Sequence, residues 1–364
     1  MERKVSEPVK NNGAVQTSDS LEAGRSGIAV AGDIIVDIVN ILDRYPERNM
    51  LANVLKTVYS VGGCVPNTII DLARIDSEIL LKAIGKVGND ENGRYAVSEL
   101  KKYGIDVSGI KIDESGVTST SSVMTDSRTG ERTFFYAGGA NGGFDINDVN
   151  VGELDCRIFH IGYILLLDAL DAYDAEYKTR MARLLDAVSQ RGIKTSIDVV
   201  SEDGDRFAEK VIPALKYTDY AIVNEVESCR VAGVEPRNSD GSVCVENIRT
   251  AMQRFFEYGV RDTVVIHCVE AGFLMKRSGE FYVSGSLELP KGYIKGSVGA
   301  GDAYAAACLY GIYNRYEPLR MLEFAAAAAA CNLSESDSVN GMKSREEIEM
   351  LGRMYGKRRI DMQI

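Results

Sequence analysis

The chain has few of the residues from which metal centres and disulfide frameworks are built. Only two histidines occur among its 364 residues, His160 and His267, and neither has the spacing of a zinc ligand. Its seven cysteines are scattered, without a C-x-x-C pair, and most lie in apolar runs. These absences argue against a zinc site. The cysteines indicate buried free thiols, which suit a reducing cytoplasm.

Positive charge is also in short supply. The chain carries 42 Lys and Arg against 53 Asp and Glu, a formal net charge of −11. This balance argues against nucleic acid or an anionic membrane surface as a partner, although an anionic substrate needs only a local positive pocket.

No apolar stretch is long enough to cross a bilayer, and the short alanine run Ala325–Ala330 predicts a tightly packed helix. Residues 1–26 are polar throughout and lack the apolar core of a signal peptide, so we expect a disordered N-terminal tail.

From about Gly27 onwards, apolar strand patterns alternate with helical patterns. This rhythm predicts an α/β fold with a mostly parallel central sheet covered by helices on both faces. The stretch from Gly116 to Tyr136 differs, because it is β-branched and aromatic and is broken by a turn at Arg128–Gly130. We expect a hairpin there that belongs to a separate small sheet.

The most informative stretch is "GSVGAGDAY", in which Gly299, Ala300 and Gly301 precede Asp302 and an apolar run. Residues with almost no side chain let main-chain amides approach an anion at the start of a helix. A carboxylate beside them can accept a proton from an attacking hydroxyl. The alternative interpretation is a tight turn with Asp302 as the helix cap.

Two further stretches place polar residues where strands give way to helices. "YSVGGCVPNTIIDLA" puts two glycines before Asn67 on an apolar helix start, and "DYAIVNEVE" ends a strand with Asn224 and Glu227. A carboxylate in that second turn could organise a hydrated magnesium ion. Each stretch by itself also fits a turn or a cap.

The order of these motifs resembles the ribokinase-like, or PfkB, family of carbohydrate kinases over residues 27–360. The resemblance implies the ribokinase-like fold with a β lid built from about 34–59 and 116–137, and a homodimer formed through that lid. It implies ATP-dependent phosphorylation of a sugar or sugar acid, with ATP as co-substrate and Mg²⁺ as the metal.

The resemblance also implies roles for individual residues. Asp302 is the expected catalytic base, and Gly299, Ala300 and Gly301 are the expected anion hole. Asn224 and Glu227 are expected around the phosphates and Mg²⁺, with Glu227 acting through water. The expected acceptor-binding residues are Asp37, Gly63, Asn67 and Arg132, for which a solvated lid arginine is the alternative. Cys64, Asp33 and Asn141 border this site, and Asn141 is expected to shape a loop.

The sequence departs from the family pattern at two places that matter for ligands. Gly296-Ser297 replaces the acid-threonine pair of the monovalent-cation site, so we expect weak dependence on K⁺. His267-Cys268-Val269 replaces a T-L-G segment that contacts nucleotide. A nucleoside kinase of the same fold and a ligand-binding relative without turnover therefore remain alternatives.

Because residues 31–37 and 62–67 contain no Lys or Arg, we predict an acceptor that is not already phosphorylated.

Overall fold

The computed structural model describes residues 24–360, so the predicted N-terminal tail lies almost entirely outside the described residues. Fifteen strands are described, and they are β1 (Ile28–Gly32), β2 (Ile35–Leu42), β3 (Val54–Gly62), β4 (Leu81–Gly88), β5 (Asp106–Asp113), β6 (Thr120–Asp126), β7 (Arg132–Ala137), β8 (Ile158–Ile164), β9 (Tyr173–Asp174), β10 (Lys178–Thr179), β11 (Lys194–Val199), β12 (Tyr220–Asn224), β13 (Thr263–His267), β14 (Ala271–Lys276) and β15 (Phe281–Gly285).

Eleven α-helices are described alongside them, and they are α1 (Cys64–Ile75), α2 (Glu91–Lys101), α3 (Gly139–Gly142), α4 (Asp168–Asp171), α5 (Arg180–Gln190), α6 (Phe207–Leu215), α7 (Glu225–Ala232), α8 (Val245–Glu257), α9 (Ala300–Tyr313), α10 (Pro318–Asn332) and α11 (Arg345–Met354). None of the helices within residues 24–360 combines the length and apolarity that crossing a membrane requires.

Nine strands form the large sheet, in the order β15-β14-β13-β12-β11-β8-β1-β4-β5. Every pairing from β13 to β5 is parallel, and only β14 and β15 at one edge run antiparallel. The central strands are apolar on both faces because helices cover both. Ile28 and Val30 of β1 join one hydrophobic core, whereas Ala29 and Ala31 join the other. The predicted fold class is confirmed.

The small sheet has the order β3-β2-β6-β7. The chain leaves the large sheet at Asp33–Ile34 and enters the small sheet at Ile35. Buried Asn141 fixes this crossing, because its side chain accepts a hydrogen bond from the Ile34 amide (3.1 Å) and donates one to the Ile34 carbonyl (3.2 Å). Asn141 therefore shapes a loop, as its sequence context indicated.

Two strands of the large sheet do not stand out in the sequence. β5, with the sequence DVSGIKID, is an edge strand with alternating polar residues and an internal glycine, so it lacks a continuous apolar run. β15 has five residues and follows β14 after a short turn, and it is the other edge of the sheet. Edge strands bury less of their surface, which weakens the apolar signal.

Candidate active site

The polar residues predicted from sequence meet where the strand order reverses. After β1 the chain builds β4 and β5 on one side of that strand, and β8 then pairs with its other side. The carboxyl ends of β1 and β8 thus flank a switch point, where open α/β sheets place their ligands. Asp33 follows β1 directly, and the main-chain amide of Tyr163 in β8 donates to Asp33 Oδ1 over 3.1 Å.

Asp302 lies in the first turn of α9 and is only 7% exposed. The Nδ2 group of Asn67 donates to Asp302 Oδ2 over 2.9 Å, and the Tyr163 hydroxyl donates to Asp302 Oδ1 over 2.5 Å. Burial raises the pKa of Asp302 to about 6, although both hydrogen bonds oppose this rise. The carboxylate is therefore largely ionised at pH 7 and able to accept a proton.

The glycine loop before α9 has the geometry that an exposed helix N-terminus needs. Gly299 is the N-cap residue with φ 77°, and no side chain caps the helix. A Cβ atom on Gly299 would lie 2.5 Å from the Ser338 carbonyl oxygen, so only glycine fits there. The N–H groups of Ala300 and Gly301 in the first turn have no helical partner, although the Ala300 amide donates to the Ser297 carbonyl over 3.3 Å. This end of α9 can accommodate an anion.

The two glycines before α1 lie against two carboxylates. A Cβ atom on Gly62 would lie 2.4 Å from Asp37 Oδ2, and one on Gly63 would lie 2.5 Å from Asp33 Oδ2. Gly63 also has φ 87°, which favours glycine. These glycines therefore let Asp33 and Asp37 approach the start of the helix that carries Asn67.

A cavity of about 430 Å³ lies between the small sheet and the loop at residues 336–340. Asp37 and Arg132 both line it, together with Val298 of the glycine loop. Burial raises the pKa of Asp37 to about 6, and the positive charge of Arg132 opposes that rise. Arg132 also donates to the Ser336 carbonyl over 3.0 Å, which joins the small sheet to the large domain.

Lys56 lines the same cavity and did not stand out in the sequence. It pairs with Ile41, Ile41 pairs with Thr125, and Thr125 pairs with Arg132, so Lys56 and Arg132 occupy one level of the same sheet face. Arg132 is therefore not the only basic side chain that lines this cavity. Lys56 and Arg132 lie far apart in the sequence, and no local sequence pattern predicts that their strands align at this level of the sheet.

Asn224 and Glu227 form a capping box at the start of α7, which is the local role that the sequence left open for them. Glu227 accepts hydrogen bonds from the Asn224 side chain (2.6 Å), the Asn224 amide (3.0 Å) and the Ser201 hydroxyl (2.7 Å). Asp198 lies near the end of the neighbouring strand β11 and is buried. Burial and the nearby charge of Glu227 both raise the pKa of the Asp198 carboxyl.

This carboxylate pair is chemically suited to a divalent cation. Burial raises the pKa of Glu227 to about 7, and the charge of Glu227 adds to burial in raising the pKa of Asp198, so a nearby cation would favour the ionised form of both groups. Within residues 24–360, no group of three His, Cys, Asp or Glu side chains is arranged to hold a metal directly. Carboxylate oxygens are ligands that Mg²⁺ prefers, so Glu227 and Asp198 are chemically compatible with an ion that keeps water and phosphate oxygens as its other ligands.

The two histidines differ in their surroundings. His160 is fully buried and its Nδ1 atom lies 3.0 Å from the Ser196 hydroxyl, so it is a packed core residue. His267 ends β13 and stacks on Tyr304 with ring centroids 4.9 Å apart. A Cβ atom on Gly301 would lie 3.4 Å from the His267 ring, which places this ring beside the glycine loop.

The structure thus joins the predicted residues into three neighbouring groups. Asp302 and Asn67 form the first group and contact each other directly. Asp37 and Arg132 form the second and line the same cavity. Asn224 and Glu227 form the third, at the end of β12 and the start of α7. Neither Asp302 nor Asn67 lines the cavity itself. Tyr163 contacts Asp302 and was missed, because "HIGYILL" looks like any buried strand.

Comparisons with known proteins agree with this geometry. Residues 25–345 match the model of the pfkB family carbohydrate kinases. A 5-dehydro-2-deoxygluconokinase of Geobacillus kaustophilus (strain HTA426) is 25% identical over 307 residues, covering 79% of this chain and 83% of that protein. A ribokinase of Schizosaccharomyces pombe is 25% identical over 296 residues, covering 79% of this chain and 85% of that protein.

Solved structures show the same fold. Arabidopsis thaliana ribokinase, complexed with ribose and ATP, superimposes with a TM-score of 0.72 at 19% identity, covering 90% of this chain and 99% of that one. An E. coli protein in complex with ATP and Mg²⁺ gives a TM-score of 0.70 at 20% identity, with the same coverage of 90% and 99%.

The nine-stranded sheet with its small second sheet is therefore the ribokinase-like fold. Because the family match runs from residue 25 to residue 345, the chain belongs to the pfkB family of carbohydrate kinases. It is a sugar kinase, a phosphotransferase with an alcohol group as acceptor.

Proposed function

We propose that the protein transfers the γ-phosphoryl group of ATP to a hydroxyl group of a small sugar acid, with Asp302 as the general base. The observation that carries this proposal is the buried carboxylate of Asp302 at the uncapped N-terminus of α9, held by donors from Asn67 and Tyr163. An ionised base thus lies beside amides suited to phosphate.

In the proposed reaction, Asp302 takes the proton of the acceptor hydroxyl. The acceptor oxygen forms a bond to the γ-phosphorus of ATP, and the bond from that phosphorus to the bridging oxygen of ADP breaks. The amides of Gly299, Ala300 and Gly301 stabilise the negative charge on the transferring group. The sheet that carries Arg132 covers the acceptor and excludes water.

The acceptor is proposed to lie in the 430 Å³ cavity against Asp37 and to reach out of it towards Gly63, Asn67 and Asp302, none of which lines the cavity itself. The Oδ1 atom of Asn67 is buried without a hydrogen-bond partner, so it can accept from a bound hydroxyl. Lys56 and Arg132 are two positive groups on one face of this cavity, and neither forms an ion pair within the described residues. Two unpaired cations suit a carboxylate on the acceptor.

Glu227, together with Asn224 and Asp198, is proposed to hold hydrated Mg²⁺ on the ATP phosphates. When bound, Mg²⁺ neutralises charge on the phosphoryl group. K⁺ is a weaker proposal, since Gly296 supplies no carboxylate and instead packs against the main chain of Glu335 and Ser336.

A second copy of the chain is proposed to cover the small sheet. Large apolar side chains are exposed on its two edge strands, among them Leu55 (61%) on β3 and Phe135 (54%) on β7. Light scattering of Leu55→Asp and Phe135→Asp should show monomers where the unaltered protein forms dimers, while Leu319→Asp on α10 should not. A monomeric unaltered protein would contradict the dimer.

A cytoplasmic location is a separate proposal, supported by seven free cysteines.

The test of function is a turnover screen with ATP and Mg²⁺ against sugars, sugar acids and nucleosides. Sugar acids should be the preferred acceptors by kcat/KM. Preference for a nucleoside would overturn the assigned acceptor, and the absence of turnover with every acceptor, despite ligand binding, would favour a relative that has lost catalysis.

A further inference from the structure

Tyr163 is held at the switch point of the large sheet by a buried carboxylate. Asp33 Oδ1 accepts from the Tyr163 amide at 3.1 Å and from the Cys64 amide at 3.2 Å. Asp33 therefore ties the end of β8 to the start of α1, the helix that carries Asn67. The main chain of Tyr163 is thus fixed relative to the other donor on Asp302.

The side chain of Tyr163 completes the hydrogen bonding of Asp302. Its hydroxyl lies 2.5 Å from Asp302 Oδ1, in the range of a short bond from a hydroxyl to a carboxylate. Asn67 donates to the other oxygen at 2.9 Å. Two donors on two different oxygens fix the plane of the carboxylate, and each oxygen keeps a lone pair for the acceptor hydroxyl.

We infer that Tyr163 is a positioning residue for Asp302, whose hydroxyl holds the carboxylate in the orientation and the ionised state that proton transfer from the acceptor requires. This inference rests on the proposed function, in which Asp302 is the base.

The charges around Asp302 explain why such a donor matters. The titratable groups that face it from the surrounding elements are Asp33, Cys64, Asp71, Tyr163, Asp198 and Glu227. All of them are acids, and within residues 24–360 no Lys or Arg side chain forms a hydrogen bond or ion pair with Asp302. Neutral donors are what favours its charged form here.

Tyr163 keeps its own proton in this arrangement. Burial, with the neighbouring acids, raises the pKa of the Tyr163 phenol well above its ordinary value. The phenol therefore remains a donor throughout the reaction. The acceptor proton ends on Asp302 and not on the tyrosine, and the hydrogen bond from Tyr163 weakens once that carboxyl is neutral.

The variant Tyr163→Phe keeps the ring and removes the hydroxyl. Without this donor the pKa of Asp302 should rise, because only Asn67 and the main chain of Asp302 itself then oppose the effect of burial. We expect the acidic limb of kcat/KM to move to higher pH by about one unit, with activity near pH 6 reduced about fivefold, the loss approaching tenfold at lower pH and shrinking towards pH 9.

Tyr177→Phe is the matched control, since the Tyr177 hydroxyl donates to Asp186 Oδ2 over 2.8 Å on α5, away from the site. It should leave the pH profile unchanged while costing a similar thermal stability. A Tyr163→Phe profile that superimposes on that of the unaltered enzyme would overturn the inference, because a merely structural tyrosine shifts the thermal midpoint and not the limb.

A readout that does not need turnover separates this inference from the proposed function. Carbon-13 NMR of protein labelled at the aspartate carboxyl carbons, with the Asp302 signal assigned by its loss in Asp302→Asn, gives the pKa of Asp302 directly. It should be higher in Tyr163→Phe than in the unaltered chain. An equal pKa of Asp302 in both proteins would contradict the inference about Tyr163, whether or not an acceptor is turned over. The absence of turnover with every acceptor would contradict only the proposed function.

The double variant gives an independent answer. If Tyr163 acts through Asp302, adding Tyr163→Phe to Asp302→Asn should lower turnover little further. Effects that multiply fully would mean that Tyr163 acts on its own.

Discussion

Asn67 donates from Nδ2 to Asp302 Oδ2 over 2.9 Å, although 235 positions separate the two residues. The contact joins α1, which directly follows β3 of the small sheet, to the first turn of α9, which begins at the glycine loop. It brings a proposed acceptor-binding residue and the proposed base into one hydrogen-bonded unit, from which the first two predictions derive.

Asp302→Asn should lower turnover by roughly a hundredfold or more, because the amide cannot accept the acceptor proton. Asparagine keeps the size of the side chain, and α9 is not capped by a side chain, so the variant should stay folded and the thermal midpoint should change little. Steady-state turnover measured beside a thermal melt decides the matter. Near-normal activity in a well-folded variant would show that the base lies elsewhere.

The activity of the unaltered enzyme should fall as pH drops through about 6, where Asp302 takes up a proton and can no longer act as a base. Asn67→Ala removes a donor to the carboxylate, so it should raise the pKa of Asp302 and move this limb to higher pH. Profiles of kcat/KM from pH 5 to 9 test both statements. Asn247→Ala on α8, where the half-buried Asn247 side chain donates to the Glu235 carbonyl, serves as the control. A limb that moves to lower pH in Asn67→Ala would contradict the assignment.

Lys56→Gln and Arg132→Gln should each raise KM for a sugar acid by about tenfold, since hydrogen bonds to charged groups contribute about 1.5–3 kcal/mol. KM for a neutral sugar of the same length should change less. Lys82→Gln on β4, which loses contacts with Asp106 and Ser108 outside the lining of the cavity, is the matched control. Equal effects on charged and neutral acceptors would argue against carboxylate recognition.

The acceptor should not be phosphorylated already. Residues 31–37 and 62–67 contain no basic side chain, and the two that line the cavity, Lys56 and Arg132, stand three strand spacings apart. Both are assigned to the carboxylate of the acceptor, which leaves no cation in the cavity for a phosphate with a charge near −2. Comparing kcat/KM for free and phosphorylated forms of one acceptor checks this, and preference for the sugar phosphate would refute it.

Turnover should depend only weakly on K⁺. Gly296 carries no carboxylate, and its Cα faces the main chain of Glu335 and Ser336, so only carbonyl oxygens could coordinate an ion there. Replacing K⁺ by a bulky organic cation should leave most of the activity. A collapse of turnover that K⁺ restores would show that the main chain alone builds the site.

The sequence by itself determined the fold class and indicated many residues of the proposed site. Apolar runs of strand length that alternate with helical patterns specify a parallel sheet covered on both faces, because such strands must bury both sides. The stretch from Gly299 to Asp302 was recognisable because a loop almost without side chains before a helix lets main-chain amides approach an anion. Asn141 was recognisable as a loop-shaping residue because an amide side chain in a glycine-rich turn can satisfy main-chain groups.

Only the tertiary structure decided which side chains meet. Tyr163 reaches Asp302 because β8 pairs with β1 at the switch point, and Lys56 joins Arg132 because four strands share one register. Neither contact leaves a local pattern, since both residues fit their own strands equally well without it. Hydrophobic periodicity fixes the face on which a side chain lies, whereas strand order and register, set by long-range pairing, fix its neighbours.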